Sequence, residues 1–212
     1  MSERGGGYYR RLVEEMKNPY GGPQEIVVQA VLHYLAEKTR GSVLDIGAGF
    51  GRHALMFVIS GAPVHCIDYE SERMTKLNAI AARERLPLSA EVRDLEKEEI
   101  PGAHAVIICA FLHHYLSGNR GRDLLLEMQA HTLPGGLNAV AAITTEGDFY
   151  LETEGADTPN GLCYFARGEL RACYPDWRII SFNEYRSVMA QQKIDGSPHI
   201  NVSAYLLAQK PW

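Results

Sequence analysis

The sequence predicts an α/β fold, a mostly parallel sheet with helices on both faces. Three observations carry this expectation. Apolar strand-like runs alternate with segments of helical spacing from residue 24 to residue 143, the order of a parallel sheet covered on two sides. The first apolar run ends in an acid and three glycines at every second position, Val43-Leu44-Asp45-Ile46-Gly47-Ala48-Gly49-Phe50-Gly51-Arg52-His53. That pattern is a buried strand turning tightly into a helix. The run Ala105 to Ala110 is fully apolar, as a central strand buried on both faces requires.

Taken in order, Gly21-Gly22-Pro23 starts a helix over 24–38, whose apolar positions recur at helical spacing. The first strand is 42–46 and its helix 51–60, broken by Gly61-Ala62-Pro63. Val64-His65-Cys66-Ile67 is a second strand ending at Asp68, and 70–85 is a helix with Met74, Leu77 and Ala81 on one face. Leu88 to Val92 is a third strand ending near Asp94. The fourth is 105–110, followed by a helix over 120–132. Leu133-Pro134-Gly135-Gly136 turns into a fifth strand, 137–143. Residues 144–166 show no periodicity, and a long irregular insertion in a compact domain is usually functional. A short helix near 167–174 follows. Residues 177–185 and 200–209 read as a strand pair, bridged by a polar segment containing Asp195-Gly196-Ser197-Pro198, which brings the strand count to seven. The organisation expected is an N-terminal segment, 1–23, able to act as a lid, and a single domain over 24–212. The first seven residues read as disordered.

Bulk properties narrow the class. A chain of 212 residues suits one full-sized core. No apolar window is long enough for a membrane span, and the N-terminus lacks the apolar core of a secretory signal. A formal net charge of -5 without a long basic cluster disfavours tight nucleic-acid binding. The four cysteines, Cys66, Cys109, Cys163 and Cys173, form no C-x-x-C pair, so no metal site is expected, and a reducing cytoplasm fits best.

The spacing of the glycine turn decides between cofactors. A dinucleotide site requires G-x-G-x-x-G. Here the third glycine comes one position early, at Gly51, and Arg52 stands where the dinucleotide pattern has glycine. Asp45 would repel a pyrophosphate but suits a cationic ligand. Strand ends supply the remaining chemistry. Asp68 closes strand two, where a carboxylate can accept from a ribose diol, or can cap the next helix. Asp94 closes strand three, where it can accept from an adenine amino group or lie on a solvated charged face. Ala110-Phe111 closes strand four beside the space for a base or a methionine chain.

This set resembles motifs I to IV of the class I S-adenosylmethionine (SAM) methyltransferases, with D/E-x-G-x-G-x-G cradling the amino-acid end of SAM. The resemblance covers 24–143. It implies a Rossmann-like seven-stranded sheet whose last strand is antiparallel, SAM as cofactor, and a SAM site at Asp45, Gly47, Ala48, Gly49, Gly51, Arg52, Asp68, Tyr69, Asp94, Leu95, Ala110 and Phe111. The tail adds Phe165-Ala166-Arg167-Gly168-Glu169-Leu170-Arg171, Tyr174, Trp177 and Asn183-Glu184. These are similar to the bacterial tellurite-resistance methyltransferases, as is Gly49-Phe50-Gly51-Arg52 except at Phe50. That likeness implies methyl transfer to a small acceptor, a chalcogen oxyanion or another small nucleophile.

The family carries a His-Arg pair after the Asn-Glu strand and an arginine near the next turn. Ala190-Gln191 and Pro198 stand there in this chain, with Arg186, Lys193 and His199 nearby but unmatched. Losing cations weakens the case for an oxyanion. His113 and His114, after strand four, can serve as general base near neutral pH or simply cap that loop. Methyl transfer to an anionic acceptor needs no base. The competing readings are a non-catalytic SAM-binding sensor or scaffold and a nicotinamide-dependent oxidoreductase, the latter opposed by Arg52.

Overall fold

Alternation of apolar runs and glycine turns becomes a doubly wound sheet in the computed structural model, which describes residues 6–37, 40–153, 161–193 and 195–212. The strands are β1 (Val43–Ile46), β2 (Val64–Asp68), β3 (Leu88–Val92), β4 (His104–Ala110), β5 (Thr132–Ile143), β6 (Arg178–Gln192) and β7 (Pro198–Gln209). The helices are α1 (Gly6–Glu15), α2 (Glu25–Ala36), α3 (Arg52–Ile59), α4 (Ser71–Glu84), α5 (Gly118–His131), α6 (Asp148–Thr153) and α7 (Glu169–Ala172). The sheet runs β3-β2-β1-β4-β5-β7-β6. β1 pairs parallel with β2 and with β4, and β5 extends the parallel set. β7 is antiparallel to both β5 and β6.

Strand periodicity divides the core in two. In β4, Val106 and Ile108 join the apolar layer under α1, α2, α3 and α4, while Ile107 and Cys109 join the layer under α5 and α7. Each fully buried aliphatic side chain contributes roughly 1.5–3 kcal/mol. The chain winds from β1 outward to β3, then returns to place β4 on the other side of β1. That reversal opens a crevice at the carboxyl ends of β1 and β4, where ligands of open α/β sheets bind.

The structure differs from the expectations in four places. Residues 1–5 lie outside the described residues, but Gly6 and Gly7 open α1 rather than a disordered tail. Leu12, Val13 and Met16 anchor that region in the core, which offsets the helix-breaking glycines. β5 starts at Thr132, and the expected turn at 133–136 is an irregularity in its pairing with β4. Gly136 fits there because a Cβ would stand 2.8 Å from Ala105 O. The unpatterned 144–166 region contains α6 and two isolated bridges, Ser117 with Leu162 and Thr144 with Phe165. The last two strands are longer than predicted, because they pair with each other along the sheet edge.

Candidate functional site

The glycine turn between β1 and α3 is held from below by two carboxylates. Asp68 Oδ2 accepts from Gly49 N at 2.8 Å and Oδ1 from Glu70 N at 3.0 Å. The acid expected to meet a ribose thus also braces the turn, and each oxygen keeps a lone pair. Asp45 accepts from Ala54 N at 3.0 Å. It is 1% exposed, and no basic side chain among the described residues forms an ion pair with it. Burial pushes its pKa up from 3.8 to about 7, outweighing the Ala54 hydrogen bond and the more distant Arg52 charge.

The glycines divide their tasks. Gly51 has φ +72°, and a Cβ there would lie 2.5 Å from the buried Leu77 Cδ2. Close helix–sheet packing therefore excludes a side chain. Gly49 has φ +53°, and a Cβ would meet nothing closer than 4.0 Å. Its backbone faces open space, as close approach of a ligand requires. Gly47 N and Ala48 N donate to Ile67 O at 2.9 and 3.1 Å, tying the turn to β2.

Other expected residues are placed as follows. Tyr69 is 68% exposed beside Asp68. Asp94 closes β3, but its carboxylate takes Lys97 Nζ at 2.7 Å and Glu96 N at 3.1 Å. It organises its own turn, and the neighbouring Leu95 is buried. Ala110 ends β4, and Phe111 follows with φ +60°. Left-handed backbone at a bulky residue costs ~1–2 kcal/mol and is characteristic of functional sites. Phe111 N donates to Ala141 O at 2.7 Å, and its ring meets Tyr205 edge-on at 6.0 Å. Arg52 bonds the backbone of the N-terminal segment. Its guanidinium donates to Tyr20 O at 2.7 Å and Gly22 O at 3.1 Å, clamping that segment to the start of α3.

His113 lies in the core. It is fully buried, with its Nδ1 3.7 Å from Cys109 Sγ and its ring edge-on to Phe165. Burial lowers its pKa to about 3, so the imidazole is neutral at physiological pH. His114 is also buried and its pKa lowered to about 4 by desolvation. Its Nδ1 has no hydrogen-bond partner. Its ring packs against Tyr115, Phe149 and Tyr164.

Sequence reasoning missed two groups. Tyr20, Phe50 and Arg73 cluster at the glycine turn, with Tyr20 edge-on to Phe50 and the Arg73 guanidinium 4.4 Å from the Phe50 ring centre. No local pattern announces this cluster, because its members come from three segments. The second is a buried polar stripe on β7, His199, Asn201 and Ser203. Its signal was present as polar residues at alternate positions of a strand.

Residues present therefore fit a ligand with positive charge near Asp45, a hydroxyl-bearing group near Asp68 and a backbone contact at Gly49. A diphosphate would meet uncompensated acids. Comparison with known proteins agrees on the architecture. A family model described as tellurite resistance protein TehB matches residues 26–199. Hemagglutinin 1 of Eikenella corrodens is 29% identical over 168 residues, covering 79% of this chain and 54% of that protein. A probable S-adenosyl-L-methionine-dependent methyltransferase TehB of Haemophilus influenzae strain 10810 is 28% identical over 172 residues, covering 79% of this chain and 57% of the relative. The chain thus spans little more than half the length of these relatives. The crystal structure of TehB from Haemophilus influenzae superposes with a TM-score of 0.70 at 24% identity, covering 85% of this chain and 61% of that one.

Proposed function

The chain belongs to the TehB tellurite-resistance family, and from that premise we propose that it is a SAM-dependent methyltransferase acting on a small molecule. The observation that carries this reading is Asp45, a buried acid without a cation, beneath the open backbone of Gly49 and beside Asp68. The printed name of the Haemophilus influenzae relative supports it. SAM supplies an electrophilic methyl group on a sulfonium. In this reading Asp45 faces the cationic end, Asp68 accepts from the ribose, Leu95 backbone and Asp94 adjoin the base, and Ala110-Phe111 walls the pocket toward the acceptor.

The N-terminal segment serves as a cover. Tyr9 donates to Arg52 O at 2.8 Å while Arg52 holds Tyr20 and Gly22, so the segment from Tyr9 to Gly22 is coupled to the end of the glycine turn. Excluding water strengthens every charge interaction at the reacting centre. A non-catalytic SAM sensor is not favoured, since the relative is named as an enzyme. With a net charge of -5, nucleic acid is a poor acceptor. No helix among the described residues is long and apolar enough to cross a membrane, and the four cysteines are free, as a reducing cytoplasm would keep them.

Calorimetry with SAM and S-adenosylhomocysteine tests the proposal. Binding of both is expected. No heat from either ligand at high concentration overturns it.

A further inference from the structure

We propose that the methyl acceptor is a small uncharged phenol or thiol, held between His114, the start of β7 and α6, and that His199, oriented by Glu152, takes its proton. The inference rests on the methyltransferase reading and extends it to residues outside the cofactor site.

Register places these residues. Tyr205 pairs with Ala141, which pairs with Ala110, and Ser203 pairs with Ile143. His199 and Asn201 therefore lie beyond the carboxyl end of β5, outside the crevice of the parallel sheet. Positions 199, 201, 203 and 205 share one sheet face, and Tyr205 is packed in the layer that carries the glycine turn. All four are buried.

Among the described residues three buried polar atoms here have no hydrogen-bond partner: His114 Nδ1, His199 Nδ1 and Asn201 Nδ2. Natural proteins rarely leave such atoms unmet, so three in one neighbourhood mark a missing hydrogen-bonding ligand. Their orientations are fixed by what they do bond. His199 Nε2 lies 3.1 Å from Glu152 Oε2. A carboxylate only accepts, so Nε2 carries a proton, and the neutral form of the ring has its lone pair at Nδ1. Asn201 Oδ1 accepts from Phe149 N at 2.9 Å, which leaves its amide NH2 as the free end. Phe149 stands between the two imidazoles, its ring centre 5.2 Å from that of His114 and 6.3 Å from that of His199.

A lone pair beside an amide donor reads a group that has both a proton and lone pairs, a hydroxyl or thiol. The aromatic wall of Phe149 and Tyr164 suits an apolar ring. The nearby cation Lys193 is paired with Asp148 at 2.7 Å, so an oxyanion would find no free charge in this group. A base oriented by a carboxylate is what proton removal from a neutral nucleophile requires. In the transfer, the acceptor atom bonds the methyl carbon and its proton passes to His199 Nδ1. The pair of the broken S–C bond stays on sulfur, and the imidazolium formed is matched by Glu152.

Long-range nitrogen NMR of the full chain with labelled histidines, run with S-adenosylhomocysteine, tests this with para-cresol and benzyl mercaptan as probes. His199 is expected to show protonated Nε2 and bare Nδ1, and a probe should shift Nδ1 of His199. In turnover, His199→Asn should lower kcat about 100-fold with cofactor binding unchanged. Glu152→Ala, at an exposed position that folding tolerates, should scramble the His199 tautomer, and Glu152→Gln should restore it. Normal heat with S-adenosylhomocysteine but no probe-induced shift, or turnover of selenite and tellurite alone, overturns this proposal and leaves the methyltransferase reading intact. Absence of cofactor heat overturns both.

Discussion

The glycine-turn crevice and the polar group beside it on β7 and α6 are built on opposite terms. Around β1 and β2, the polar groups of the turn are satisfied by near neighbours: Asp45 by Ala54, Asp68 by Gly49 and Glu70. Around β7 and α6, His114, His199 and Asn201 keep buried atoms without partners. The first is a finished cradle whose remaining demand is charge. The second is an unfinished hydrogen-bond set whose demand is a particular ligand. A shared cofactor permits the first construction, because one geometry serves many acceptors. Acceptor specificity calls for the second, because a ligand lacking the matching groups leaves buried atoms unpaired.

The sharpest way to break this contrast is to disturb the cradle. Gly51→Ala forces a Cβ against Leu77 at positive φ, and strain plus overpacking should destabilise the protein by about 2–5 kcal/mol. Urea unfolding measures it, and a loss below 1 kcal/mol would show the turn to be far more yielding than drawn.

Asp45 tests whether charge is what the cradle lacks. Its folded pKa, about 7, lies above the unfolded 3.8, so the folded state holds the extra proton between them. Stability without ligand should therefore fall as pH rises from about 4 to about 7, and level off above. At about 1.4 kcal/mol per pKa unit, the change is a few kcal/mol. SAM affinity should rise through the same window, since ionised Asp45 attracts the cation. Asp45→Asn should flatten both profiles, and calorimetry across pH that shows wild type and variant alike would remove Asp45 from the account.

Asp68→Ala should weaken SAM binding by about 1–3 kcal/mol, because ribose hydroxyls lose their acceptor while the turn loses its brace. Unchanged affinity excludes Asp68 from the site. Smaller still, Arg52→Ala removes two hydrogen bonds to residues 20 and 22. A loss of about 1 kcal/mol and faster limited proteolysis near Tyr20 are expected, with the glycine turn intact. His113→Phe should leave turnover within about twofold if burial makes that imidazole a packing group; a loss like that expected for His199→Asn would reinstate it as a base.

Legibility followed the same division. Strands β1 to β4, their helices and the acid-glycine turn were readable because each rests on periodicity or spacing within a dozen residues. α1 was not, because Gly6 and Gly7 argue against a helix that only Leu12, Val13 and Met16, packed on the domain, sustain. His113 and His114 looked alike as neighbours in a loop. Only packing shows that one abuts Cys109 and Phe165 while the other keeps an unpaired nitrogen near Phe149. Arg52 was read as facing a ligand because chain position does not reveal where a long side chain finds its acceptors.

By itself, then, the sequence determined the winding of the sheet, the position of the crevice and the acid-and-glycine turn at its edge. Those depend on short-range patterns, apolar period, turn backbone and the acid at a strand end, which neighbouring residues enforce directly. The tertiary structure decided which polar groups meet: Glu152 with His199, Phe149 with Asn201, Tyr20 with Arg52. These pairs are 32 to 52 residues apart in the chain, and only closure of the sheet brings them within hydrogen-bonding range.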